Sequence, residues 1–108
     1  MTMHLYTEAK ALAQESWDQC DHDLGDAMDH LHESCDGHPV AIYYGKAIDF
    51  CATHDTSDGE QWLEDCDSLI QAGDTFGSIA CRIAFATLLV RSQEILKEIA
   101  DDYEELDV

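Results

Sequence analysis

Cys35 and His38, and again Cys51 and His54, form two C-x2-H pairs with twelve residues between them. These are residue types that hold zinc through thiolate sulfur and imidazole nitrogen. If the intervening stretch is one helix, its ends lie about 18 Å apart at ~1.5 Å per residue, whereas four ligands must converge on one ion at roughly 2 Å. The spacing argues against a shared ion, and zinc binding by Cys35, His38, Cys51 and His54 stands only as an alternative. His30, His32 and Glu33 bring imidazoles and a carboxylate close in sequence, a combination suited to proton transfer. The H-E-x-x-H pattern is absent, however, and neighbouring helix positions point apart, so these read as exposed or boundary histidines. Neither DHDLGD nor DTSDGE keeps the register of a calcium-binding loop. There is no glycine-rich phosphate loop, nucleophile elbow or kinase signature. The expectation is a binding protein that is not an enzyme and needs no cofactor.

The carboxylates carry the strongest signal. Against 24 Asp and Glu stand five Lys and Arg, a formal charge of −19 on 108 residues. Such a chain cannot neutralise phosphates, which excludes direct nucleic-acid binding and association with an anionic membrane. Between Lys10 and Lys46 lie Glu15, Asp18, Asp21, Asp23, Asp26, Asp29, Glu33 and Asp36, with no cation among them. Between Lys46 and Arg82 lie Asp49, Asp55, Asp58, Glu60, Glu64, Asp65, Asp67 and Asp74, again with none. Carboxylates three or four residues apart on a helix sit about 5–6 Å from one another and repel by a few tenths of a kcal/mol per pair. Asp is also a mediocre helix former. Folding stability alone would not select this arrangement, so the repulsion points to a use.

The elements that must position these groups are helices. At 45% apolar residues and one Pro, the chain is too hydrophobic to be disordered, and 108 residues suit one domain, 1–108. Helical periodicity predicts a first helix from Met3 to about Cys20, with Thr2 as N-cap and Leu5, Ala9, Leu12, Ser16 and Cys20 near one face. A second runs from about Asp23 to Cys35, with Leu24, Ala27, Met28, Leu31 and Cys35 inward and Asp23, Asp26, Asp29, Glu33 and Asp36 opposite. Pro39 opens a third, through about Thr53, that buries Val40, Tyr43, Tyr44, Ala47, Ile48 and Cys51. A fourth, from about Gly59 to Gln71, buries Trp62, Leu63, Cys66, Leu69 and Ile70 and stops at Gly73. Asp74 or Thr75 opens a long last helix, apolar nearly all round from Ile79 to Val90 and therefore central, then amphipathic with Ile95, Leu96, Ile99, Tyr103 and Leu106 inward. The predicted fold is an all-α bundle of four to five helices with a long, largely buried C-terminal helix. Trp17, Trp62, Tyr43 and Tyr44 read as core or boundary aromatics. Five cysteines spaced 15 or 16 apart suit one thiol per helix better than disulfides and fit a reducing compartment. The residues MTMHLYTEAK show no secretory signal, and no apolar run is long enough to span a bilayer.

A physically direct use for a rigid row of carboxylates is to imitate DNA, which carries one charge per ~1.7 Å of duplex axis and is bound in Lys- and Arg-lined grooves. The acidic stretch DHDLGDAMDHLHE, the segment HPVAIYYGKAIDF and the tail DDYEELD resemble the small acidic proteins that phages direct against host defence, the Ocr-like anti-restriction DNA mimics and the acidic anti-CRISPR proteins. The resemblance implies a stoichiometric inhibitor acting in the cytoplasm of an infected bacterium. Its partner would be a basic nucleic-acid-binding protein or complex, such as a CRISPR effector or a restriction enzyme, and several proteins of this class are homodimers. On that reading Asp18, Asp23, Asp26, Asp29, Glu33 and Asp36 serve as phosphate surrogates, seconded by Glu60, Glu64, Asp65 and Asp67. The competing reading from another class is an acidic adaptor or subunit that binds a protein partner through an apolar or dimer face.

Overall fold

Six helices and no strand are seen among the described residues of a computed structural model, which describes residues 5–65 and 76–106, with side chains of the last helix from 79 to 104. They are α1 (Leu5–Gln19), α2 (Leu24–Asp36), α3 (Pro39–Ile42), α4 (Tyr44–Thr53), α5 (Ser57–Asp65) and α6 (Phe76–Leu106). The expected Thr2 cap, the Cys66, Leu69 and Ile70 face, the Gly73 stop, the opening at Asp74 or Thr75, Asp67 and the inward side chain of Leu106 lie outside the described residues. No helix of the described residues is long and apolar enough to cross a membrane.

The all-round apolar pattern of the last helix has the expected consequence. Every other helix packs on α6, and Ala80, Ala84, Ala86, Leu88 and Leu89 are buried along it. Its 31 residues rise about 46 Å, which accounts for most of the 51 Å long axis of the molecule. Alanines set how near the neighbours come: Ala9 and Ala13 of α1, Ala27 of α2 and Ala47 of α4 are fully buried and let these backbones approach, while Leu31, Leu88, Leu89 and Leu96 fill the remaining space.

The third predicted helix is two. Tyr43 has an extended backbone (φ −106°, ψ 118°) and ends α3 while starting α4. The break resets the helical phase, so the periodicity that aligned Tyr43 and Tyr44 with Val40 and Ala47 does not hold. Both tyrosines stand more than half exposed, as does Ile42, while Phe50, which the pattern did not place inward, is buried. The phenol hydroxyls thereby stay in water, where burial would require partners for them. Tyr103 is likewise not inward but 44% exposed, at the edge of a ring cluster.

Polar groups inside the bundle are paired. His38 joins α1 to α3: its Nδ1 accepts from the Val40 N–H (3.2 Å), capping α3, and its Nε2 faces Glu8 Oε2 at 3.4 Å. Ser92 donates to Leu88 O (2.7 Å), which leaves its oxygen to accept from the Cys35 thiol (3.6 Å). Burial pushes that thiol up to about 11, against a smaller opposing effect of Ser92. The unfolded thiol titrates near 8.5, so folding favours the neutral form. This contribution is complete below about pH 8.5 and is lost as pH rises toward 11. Urea denaturation between pH 8 and 11 is expected to show a loss on the order of 2–3 kcal/mol larger than in Cys35→Ala.

Candidate functional site

The carboxylates gather first at the corner between α1 and α2. Asp21 and His22 take left-handed backbone conformations (φ 53° and 62°), which Asp and His tolerate better than most residues. The turn is stitched by the His22 N–H to Trp17 O (3.0 Å) and the Asp23 N–H to Cys20 O (3.0 Å). His22 then stacks on Trp17 (centroids 5.3 Å apart) and meets Tyr103 at 4.9 Å, so an aromatic trio locks the corner to the far end of α6. Periodicity could not show this trio. The signal available in the sequence was the Asp-His-Asp run, whose residues accept left-handed turns.

At the corner Asp21, Asp23, Asp26 and Asp29 are near enough to Cys20 for their charges to act on it. Its thiol is pushed up by burial first, then by the charges of Asp26, Asp21, Asp23 and Asp29. Asp18 accepts from Gln14 Nε2 (3.2 Å) and lies 3.8 Å from His22 Nε2. Asp23 is also a helix cap: its Oδ1 accepts from the Asp26 N–H at 2.9 Å. Asp23→Ala is therefore expected to cost about 1 kcal/mol, read as a lower melting temperature, whereas Asp23→Asn retains most of that stability and removes only the charge.

From this corner the row continues along α2. Asp26, Asp29, Glu33 and Asp36 are exposed, opposite the fully buried Ala27, Leu31 and Cys35, as the wheel predicted, whereas Leu24, expected inward, is exposed in the first turn. They span about 15 Å of helix, close to one charge per ~5 Å, against one per ~3.4 Å on a single DNA strand. None of them pairs with a cation among the described residues. Glu33 and Asp36 lie near the C-terminal end of α2, which has no basic residue in its last turn, so the helix dipole opposes both.

The second acidic set is on a different element. The backbone of α5 approaches only α6 among the described helices, and its Gly59 is buried against Thr87. Ser57 donates its hydroxyl (2.7 Å) and N–H (3.0 Å) to Asp55, and these bonds hold that carboxyl below the usual range. Glu64 and Asp65 are exposed, with Asp65 accepting from Gln61 (3.0 Å), while Glu60 bears on Cys51 of α4. The link between α2 and α5 is aromatic: His32 meets Phe85 at 5.3 Å and Trp62 at 6.5 Å between ring centroids. Glu60, Glu64 and Asp65 thus belong to a different helix, whose backbone makes no contact with α2 among the described residues.

The other candidates are dispersed. His30 Nδ1 faces the buried Ser16 hydroxyl at 2.9 Å, and His32 belongs to the aromatic link. Cys35 is directed to Ser92, His38 to Glu8 and Val40, Cys51 to Ala80 O, and His54 stacks on Phe50. No three metal-ligating side chains come together among the described residues. What the described residues expose at the corner and along α2 is ordered negative charge. No protein-family model, curated protein or solved structure matches this chain.

Proposed function

We propose that this protein is a decoy for DNA, an inhibitor that occupies the cationic nucleic-acid site of a bacterial defence enzyme, a CRISPR effector or a restriction enzyme, by stoichiometric binding. The observation that carries the reading is the α2 row: Asp26, Asp29, Glu33 and Asp36 are exposed and form no ion pair among the described residues, on a helix whose opposite face is anchored in the core. The row costs stability through mutual repulsion and through its C-terminal members. A partner presenting Lys and Arg at DNA spacing converts that cost into attraction and counterion release.

Immobilised protein is expected to retain DNA-handling enzymes from a bacterial lysate at low salt, to release them at least about tenfold more readily between 50 and 200 mM salt, and to lose them to added duplex DNA. Retention that neither salt nor DNA disturbs would end this reading.

A second reading has one observation in its favour. Ile42, Tyr43 and Tyr44 are each more than half exposed in consecutive positions, and the sequence from Gly37 to Ile48 contains no acid. Tyrosines are frequent anchors in protein interfaces. An acidic adaptor that docks through this patch predicts binding insensitive to salt and abolished by Tyr43→Ser with Tyr44→Ser.

A further inference from the structure

Cys51 of α4 lies at the contact with α6, beside the turn of α6 that carries Cys81. Ala47 on α4 and Ala80 and Ala84 on α6 are buried there. The Cys51 thiol donates to Ala80 O at 3.5 Å. That carbonyl oxygen is within about 3 Å of the Cα of the next residue by peptide geometry, which places the Cys51 sulfur within about 6.5 Å of the Cys81 Cα. In a formed disulfide each sulfur lies about 4 Å from the opposite Cα, so closure needs both side chains to turn toward one another and a shift of up to about 2 Å between α4 and α6. Both thiols are free and half-buried, and Cys81 also lines an open surface cavity of about 240 Å³ with Asp36, Ala41, Arg82 and Phe85. A reagent can therefore reach Cys81. The two sulfurs also feel each other electrostatically: the Cys51 thiol is pushed up by burial, then by Glu60 and by Cys81. Cys35 is sealed in the core on Ser92, and Cys20 sits among carboxylates at the α1–α2 corner.

We propose that Cys51 and Cys81 are a redox modification site, a dithiol that low-molecular-weight disulfides such as oxidised glutathione convert to a disulfide stapling α4 to α6. Cys81, as thiolate, attacks one sulfur of glutathione disulfide. The S–S bond breaks, and one glutathione thiolate leaves. Cys51 then loses its proton to water and attacks the Cys81 sulfur, forming the Cys51–Cys81 bond and expelling the second glutathione. Two protein thiols are oxidised and one glutathione disulfide is reduced to two thiols. The second step needs the Cys51 thiolate, which burial and Glu60 disfavour, so closure accelerates with pH and the mixed disulfide at Cys81 accumulates first.

The test is incubation of the full chain with oxidised glutathione at pH 7 and pH 8.5, followed by digestion with Asp- and Glu-specific proteases, which separate all five cysteines, and mass spectrometry. The expected results are one dominant cross-link, Cys51 to Cys81, closing about tenfold faster per pH unit, and a melting temperature several degrees higher that dithiothreitol reverses. In Cys51→Ser the reaction stops with one glutathione held on Cys81. Cross-links spread over other cysteines, first modification at Cys51, or a mixed disulfide at Cys81 that never closes in the native chain would each overturn the assignment.

Discussion

Replacing Asp26, Asp29 and Glu33 by Asn, Asn and Gln is expected to weaken binding to the target about 100-fold at low salt while leaving the fold as stable as before, or slightly more so. Each charge facing a cationic cleft is worth roughly 1 kcal/mol, and three together make about 3 kcal/mol, or two orders of magnitude in Kd. Stability moves the other way. The Asp26–Asp29, Asp29–Glu33 and Glu33–Asp36 spacings are all i,i+3 or i,i+4 on one exposed face, so the substitutions relieve a few tenths of a kcal/mol per pair. The Asp23 cap accepts from the backbone of residue 26, not from its side chain, and survives. Titration calorimetry and thermal melts on the same sample check both signs. A matched control neutralises Asp101, Asp102 and Glu104 on the exposed end of α6, removing the same charge from a different place. If that variant loses as much affinity as the α2 variant, position is irrelevant and the row is not the binding element.

The largest expected effect on stability comes from Gly59→Ala. In most helices this change is favourable by about 1 kcal/mol, because alanine orders at lower entropic cost. Here a Cβ would come within 2.5 Å of the Thr87 N and 2.8 Å of its Cα, and nearer still to its hydroxyl. The obstruction is the backbone of α6, which cannot rotate away as a side-chain tip can. The result is separation of α5 from α6, costing about 2–3 kcal/mol and lowering the melting temperature by roughly 10–20 °C. Gly45→Ala supplies the contrast. A Cβ there meets nothing within 4 Å, and the substitution is expected to stabilise by about 0.5–1 kcal/mol. A Gly59→Ala protein that melts with the native one would show that the α5–α6 approach is looser than the structure places it.

These two outcomes bear on different parts of the molecule. On the proposed reading the acidic row acts in long-range recognition and is opposed by folding, whereas Gly59 acts in packing. A variant set that separates binding loss from stability loss tests the decoy reading without confounding it by unfolding. Asp23 joins the two roles, since the same carboxylate that caps α2 also contributes to the corner cluster.

The α2 face was readable in advance because each of its determinants is local. A helix repeats every 3.6 residues, so Ala27, Leu31 and Cys35 had to share one side and Asp26, Asp29, Glu33 and Asp36 the other. The centrality of α6 followed from the same logic, since an element apolar on every side must have neighbours on every side. The break at Tyr43 was not readable. Periodicity assumes an unbroken phase, and both a continuous and an interrupted helix explain Val40 and Ala47; the extended backbone at Tyr43, seen only in the folded chain, distinguishes them.

Composition and helical period were thus enough to establish an all-α bundle, a strongly negative surface and a row of carboxylates opposite a buried stripe, because charge and amphipathicity are properties of residues a few positions apart. Contacts between distant segments required the folded chain: the Trp17–His22–Tyr103 lock on the corner, the His32–Phe85–Trp62 link, the backbone approach at Gly59 and the Cys51 thiol on the Ala80 carbonyl across α4 and α6. Each depends on how helices with compatible faces choose their crossing and depth. That choice is made by the packing of side chains many residues apart, to which a local period is blind.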